Sequence, residues 1–137
     1  MIFINRQISM GKIDACIIPV TPFRQDCTLL FDETNRKGIL IDPGGDLPHI
    51  LEAVEKNGID VEAVWLTHGH IDHAGAAMDA EDALGVDIIG PHAADRILLD
   101  RLDDTPESYN LSGLVRNCVP DLWLNDRDTV FCAGHAF

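Results

Sequence analysis

The stretch His68-Gly69-His70-Ile71-Asp72-His73 constrains this chain more than any other. It packs three imidazoles and one carboxylate into six positions, and three of the six histidines in the sequence fall there. The residues before it, Val61 to Leu66, form an apolar run with the length and character of a buried strand. Those after it, Ala74-Gly75-Ala76-Ala77-Met78, read as the opening of a helix. The cluster is therefore expected at the carboxyl end of a strand, where open α/β sheets place their ligands.

The flanking sequence supports an α/β layered domain. Strands are expected over Ile13 to Val20, Cys27 to Phe31 and Gly38 to Ile41, with a Thr21-Pro22 turn after the first and a polar loop over Asp32 to Arg36. Asp42-Pro43-Gly44-Gly45 then forces a tight turn, with the glycines expected to supply positive φ. Asp46 is a candidate cap for a helix with Pro48 in its first turn. That helix carries Ile50, Leu51 and Val54 on one face and stops at Asn57-Gly58. Further on, the pattern predicts a helix from Ala74 to Leu84, a strand between Gly85 and Gly90, and a helix from Pro91 to Leu102. Residues 103–119 read mostly as loop, and Trp123 to Phe131 as strand, turn, strand. Alternating strand and helix is the signature of a layered α/β fold. Residues 1–12 read as an N-terminal extension, with Met10 as an alternative start, and 13–137 as a single domain.

Composition removes several function classes. With 10 basic against 23 acidic residues, the net charge of -13 opposes binding to nucleic acid or to an anionic membrane. No stretch approaches the roughly 20 apolar residues that span a bilayer, and no signal peptide is evident at the N-terminus. Cys16, Cys27, Cys118 and Cys132 form no closely spaced metal or redox pair, so they are expected as buried free thiols in a reducing cytoplasm.

Imidazole and carboxylate suit zinc, and the absence of thiolate from the hexapeptide leaves iron and manganese open. On an extended loop, residues 68, 70 and 72 project to one side and 73 to the other. Local bends then let His68 and His70 hold one ion while Asp72 and His73 hold a neighbour. Gly69 opens the crowded middle of the loop. Two ions about 3.5–4 Å apart hold a hydroxide and polarise the carbonyl or phosphoryl group it attacks. Asp72 has a second possible role, orienting or deprotonating the water. The competing interpretation is a chance group of surface histidines on a turn.

The segment Leu66-Thr67-His68-Gly69-His70-Ile71-Asp72-His73-Ala74-Gly75 resembles the signature of the metallo-β-lactamase-fold hydrolases. Pro19 to Phe23 with Asp26-Cys27, Leu40 to Asp46, Gly90-Pro91-His92 and Trp123 to Asp126 are similar to the hydroxyacylglutathione hydrolase (glyoxalase II-like) branch. The resemblance implies the N-terminal half of an αββα sandwich and two zinc ions per complete site. It assigns His68 and His70 to the first metal, and Asp72 and His73 to the second. It gives Asp42 the task of orienting ligands, against a plain turn-forming role before Pro43. His49, His92 and His135 are expected to be structural or solvent-exposed. Family members continue beyond the end of this sequence with further ligands, so the chain is expected to be a C-terminally shortened member. The implied activity is hydrolysis of a small-molecule thioester by a metal-held hydroxide. A lactonase, phosphodiesterase, β-lactamase, persulfide dioxygenase or non-catalytic metal-binding fragment are the alternatives.

Overall fold

The computed structural model describes residues 12–20, 25–104 and 116–137. The expected extension before Lys12, the Thr21-Pro22 turn and most of the irregular stretch at 103–119 lie outside those residues.

Six strands form one mixed sheet in sequence order: β1 (Ile13–Val20), β2 (Gln25–Asp32), β3 (Lys37–Ile41), β4 (Asp60–Trp65), β5 (Asp87–His92) and β6 (Leu122–Leu124). The first three strands pair antiparallel, through short connections. From β3 onward the neighbours are parallel, because each connection crosses over through helical structure. The β3–β4 crossover is α1 (Leu47–Asn57). The β4–β5 crossover contains α2 (Ile71–Ala74) and α3 (Ala77–Leu84). After β5 come a 3-10 turn at Ala93–Asp95, α4 (Arg96–Leu99) and a second 3-10 turn at Leu102–Asp104.

Register decides which apolar residues share a face. Leu29, Leu40, Val64 and Ile88 stand opposite one another across four strands and are fully buried. They pack with Ile50 and Val54 of α1 and with Ala77 and Ala80 of α3 in the main core. Alanine at these helix positions lets the backbone of α3 lie close to the sheet. One residue along, Leu30, Ile39 and Ala63 align on the opposite face, with Ile41, Trp65 and Ile89 beyond them. That second face is covered by a small hairpin of β7 (Phe131–Cys132) and β8 (His135–Ala136), with Cys132 buried against Ile39 and Ala63. Phe137 meets Trp65 edge-on at 5.6 Å.

The elements depart from the sequence pattern in several places. Strand β5 runs through Pro91 to His92, and the expected long helix after it is reduced to α4 between two 3-10 turns. The helix expected from Ala74 starts earlier, at Ile71, and is interrupted at Gly75-Ala76 before resuming. Asp46 occupies the cap position of α1, but in a left-handed conformation and without a side-chain capping hydrogen bond.

The hairpin is pinned by a buried carboxylate. Asp32 is 0% exposed; its Oδ1 accepts the amides of Thr34 and Asn35, at 2.7 and 3.2 Å. Its Oδ2 lies 2.8 Å from Nε2 of His135. Burial alone raises the pKa of this carboxyl, but the His135 bond and the two amides outweigh it and hold the group below its ordinary value. His135 is thus structural, as expected. The four cysteines form no disulfide; three are buried, and loss of solvation pushes Cys118 up to about 12 and Cys132 to about 11. No helix among the described residues is long and apolar enough to cross a membrane.

A carboxyl whose folded pKa is depressed stabilises the fold above its unfolded pKa, about 3.9, and loses that contribution as pH falls through the folded value. We therefore predict that Asp32→Asn costs about 2 kcal/mol at pH 7. The gap from wild type should close below about pH 4. Urea unfolding at a series of pH values measures both; a gap independent of pH would contradict the ionic role.

Candidate metal centre

The parallel strands β3 and β4 end side by side, and the polar groups gather at those ends. Asp42 directly follows β3, and its amide donates to the Trp65 carbonyl at 2.9 Å. Thr67 and His68 follow β4. Antiparallel pairing places the start of β2 just beyond the end of β3, which brings Gln25 to the same spot. Asp95, after β5, accepts the amide of Gly69 at 2.9 Å.

The turn after β3 is held against the hexapeptide by contact too close for any side chain. A Cβ on Gly44 would lie 1.7 Å from the Asp72 carbonyl oxygen, and one on Gly75 would lie 2.4 Å from the Gly44 carbonyl oxygen. The Pro43 carbonyl also accepts the Ala76 amide at 2.9 Å. This corrects the expectation for the turn. Positive φ falls on Asp42 (56°) and Asp46 (51°), residues whose type tolerates the left-handed region, and not on Gly44 or Gly45. Gly44 is required for close approach. Gly69 likewise packs on the turn at Asp95, where a Cβ would stand 3.0 Å from Cβ of Leu98.

The four predicted ligands occupy different surroundings. His68 and His73 are half-buried with ring centroids 3.8 Å apart. His70, at the cap of α2, is exposed, and its ring stands edge-on to His68 at 4.9 Å. Asp72 is half-buried in the first turn of α2, with Oδ2 3.6 Å from Nε2 of His73. The loop is therefore not extended throughout: it turns helical at Ile71, so Asp72 and His73 are carried on α2. That helix is a single turn, and the field expected from a long helix's amino end is correspondingly reduced.

Asp42 stands nearer the centre than the sequence indicated. It is 4% exposed, and one of its oxygens, a nitrogen of His68 and a nitrogen of His73 all lie within 4.8 Å of one another. Its carboxylate is also heavily engaged. Oδ1 accepts the Thr67 amide at 2.8 Å. Oδ2 accepts the Thr67 hydroxyl at 2.5 Å and lies 2.8 Å from Nδ1 of His73. Thr67 Oγ1 is in turn 3.1 Å from Nδ1 of His68.

These contacts fix the tautomers. A carboxylate only accepts, so Nδ1 of His73 carries the hydrogen it gives to Asp42. The single Thr67 hydroxyl hydrogen goes to Asp42, so Thr67 Oγ1 accepts from Nδ1 of His68. Both rings are left with the Nε2 lone pair free, the form a metal requires. Burial, and then the neighbouring His73 ring, push the pKa of His68 below its ordinary value, Asp42 offsetting part of this. The neutral ring is thereby favoured. Two imidazoles and nearby carboxylates, with tautomers set for ligation, fit a divalent cation.

The remaining histidines lie elsewhere. His92 is exposed, accepts the Ala94 amide at 3.0 Å and stands 3.6 Å from Asp126. His49 is exposed on α1. Thr67, Gln25 and Asp95 were missed in the sequence. Thr67 could have been suspected from its place beside His68, but Gln25 and Asp95 are brought in by strand register and a crossover that leave no local mark.

Both the sequence and the fold have known relatives. The profile of the Metallo-beta-lactamase superfamily matches residues 20–137. The chain is 34% identical over 114 residues to hydroxyacylglutathione hydrolase GloC of Haemophilus influenzae, covering 83% of this chain and 53% of that protein. It is 33% identical over 76 residues to a hydroxyacylglutathione hydrolase of Albidiferax ferrireducens, covering 55% of this chain and 29% of the relative. Among solved structures, the BLEG-1 B3 metallo-beta-lactamase superposes with a TM-score of 0.74 at 22% identity, over 92% of this chain and 59% of the other. A protein crystallised in a di-iron-bound form gives 0.69 at 28% identity, over 83% and 57%. The chain thus spans about half the length of the relatives that cover most of it.

We predict that Gly44→Ala, by forcing the turn away from α2, costs about 3 kcal/mol in stability. Thermal and urea unfolding test this, with Gly45→Ala as the control expected to be milder. Equal effects at the two positions would contradict the close-approach account.

Proposed function

The chain belongs to the metallo-beta-lactamase superfamily, and on that premise we propose that its hexapeptide forms a metal-dependent hydrolytic centre acting on thioesters of the hydroxyacyl-glutathione class. The observation that carries the reading is the hydrogen-bond chain from Asp42 through Thr67 to His68, and from Asp42 to His73, which leaves Nε2 of both rings free. His68, His70, Asp72 and His73 would hold the metal. Asp42 would orient His68 and His73 without binding the metal, since its oxygens are already committed to Thr67 and His73. Zinc suits this nitrogen and oxygen set, and iron or manganese is also compatible. When bound, the cation supplies Lewis acidity toward the carbonyl and makes water more acidic.

The chain's own residues supply the rest. Asp72, half-buried with Oδ2 3.6 Å from Nε2 of His73, would in the alternative role orient the attacking water or take its proton instead of holding the metal. Thr67 and Asp42 hold the two rings through Nδ1, so that their orientation is set before a substrate arrives. The thioester specificity rests on the relatives named hydroxyacylglutathione hydrolase. A second reading, metal binding without turnover, is favoured by one fact: the group whose ligand atoms lie within 4.8 Å of one another is Asp42, His68 and His73, without His70 or Asp72.

His68→Ala and His73→Ala are each expected to lower zinc affinity by at least about tenfold, with His70→Ala also removing most bound metal. Elemental analysis and chelator competition measure this, and unchanged stoichiometry in all three would refute the ligand assignment. Release of glutathione from S-lactoylglutathione by the zinc-loaded chain, lost in His68→Ala, supports the hydrolase. Tight zinc binding with no turnover selects the second reading.

A further inference from the structure

Resting on the reading that His73 presents Nε2 to a cation, we propose that Gln25 is a positioning residue for that histidine, holding Nδ1 from β2 while Asp42 holds it from the end of β3. Two groups meet at this one nitrogen. Asp42 Oδ2 is 2.8 Å away and Gln25 Nε2 is 3.1 Å away. An imidazole nitrogen carries either a hydrogen or a lone pair, so it cannot give to Asp42 and accept from Gln25 together. The charge-assisted bond to Asp42 is the stronger, and it keeps the hydrogen on Nδ1.

An amide nitrogen then faces an N–H group, a contact between two donors. At the same time Oε1 of Gln25 is buried and has no hydrogen-bond partner among the described residues. A buried amide oxygen left unpaired costs about 1–3 kcal/mol. Both defects bear on which way the amide faces. The oxygen and nitrogen of a glutamine amide have nearly the same shape, and their assignment follows from the hydrogen-bond network. Turning the amide over places Oε1 on the Nδ1 hydrogen, shared with Asp42. The turn also sets Oε1 against the Asp26 carbonyl, which now accepts from Nε2 at 2.5 Å, so the amide must swing away from that carbonyl as it turns. The result is an imidazole held through one nitrogen by acceptors from two strand ends, with the other nitrogen left for the metal.

Metals bind neutral imidazole only at the bare nitrogen, so partners of the opposite nitrogen act on affinity through tautomer and orientation. The role predicts a dependence on the acceptor atom and not on the side chain's bulk. Gln25→Met keeps the length and removes the amide; Gln25→Glu keeps the length and restores an oxygen acceptor. In the full 137-residue chain, nitrogen NMR of the metal-free protein reads the tautomer of His73, and zinc titration against a chelator reads affinity. Gln25→Met is expected to raise the share of His73 with hydrogen on Nε2 and to weaken zinc binding about tenfold. Gln25→Glu is expected to keep the hydrogen on Nδ1, because a carboxylate only accepts. Unchanged tautomer and affinity in Gln25→Met overturns the proposal, as does an equal shift of tautomer in both variants, which would make Gln25 a packing residue. If the wild-type chain takes up no zinc, the metal reading of the site fails, and the metal-free tautomer measurement still decides the role of Gln25.

Discussion

The buried carboxylate of Asp42 is the contact on which this end of the molecule depends. A charge at 4% exposure is tolerated only when its oxygens are filled, and here the Thr67 amide, the Thr67 hydroxyl and the His73 ring fill them. Each partner belongs to a different part of the chain from Asp42. Satisfying one acid therefore ties the end of β3 to the end of β4 and to α2. The same bonds determine which nitrogen of each imidazole is free. Stability and chemistry share one set of hydrogen bonds, so a change at Asp42 cannot disturb one without the other.

Glycine supplies the space in which this can happen. The turn at Pro43-Gly44 touches the Asp72 peptide at a distance no Cβ allows, and Gly75 receives the Gly44 carbonyl from the other side. Backbone packed on backbone leaves no freedom for α2 to slide, which matters for a site that requires imidazoles and carboxylates within a few ångströms. The far face of the sheet is built differently. There Ile39, Ala63 and Cys132 make a small second core under the β7–β8 hairpin, and the buried Asp32 carboxylate anchors the hairpin through His135. Acid is expected to loosen that anchor as the Asp32 carboxyl titrates.

Much of this could be read in the sequence, for reasons particular residues make plain. Strands β1 to β4 and helix α1 follow directly from apolar runs bounded by proline, glycine and polar turns, because both signals are local. Pro91 was misleading: a proline after glycine reads as a break, yet β5 runs on through it to His92 because the partner β6 pairs there. Gly44 was rightly taken as a requirement for glycine but for the wrong reason, since sequence shows a missing side chain and not what occupies its place. Likewise Asp42 was recognisable as an acid at a strand end, while its closeness to His68 and His73 was not.

By itself, then, the amino-acid sequence determined the layered α/β class, the strand-end location of the hexapeptide and the resemblance to a metal-binding family, since all three are written in neighbouring residues. Only the tertiary structure decided that Asp42, Thr67 and Gln25 surround the same two imidazoles, and which ring nitrogen each contact leaves bare. The physical reason is that hydrogen-bond partners are chosen by strand register and by the docking of one turn on another. Those are properties of residues tens of positions apart, and no local pattern records them.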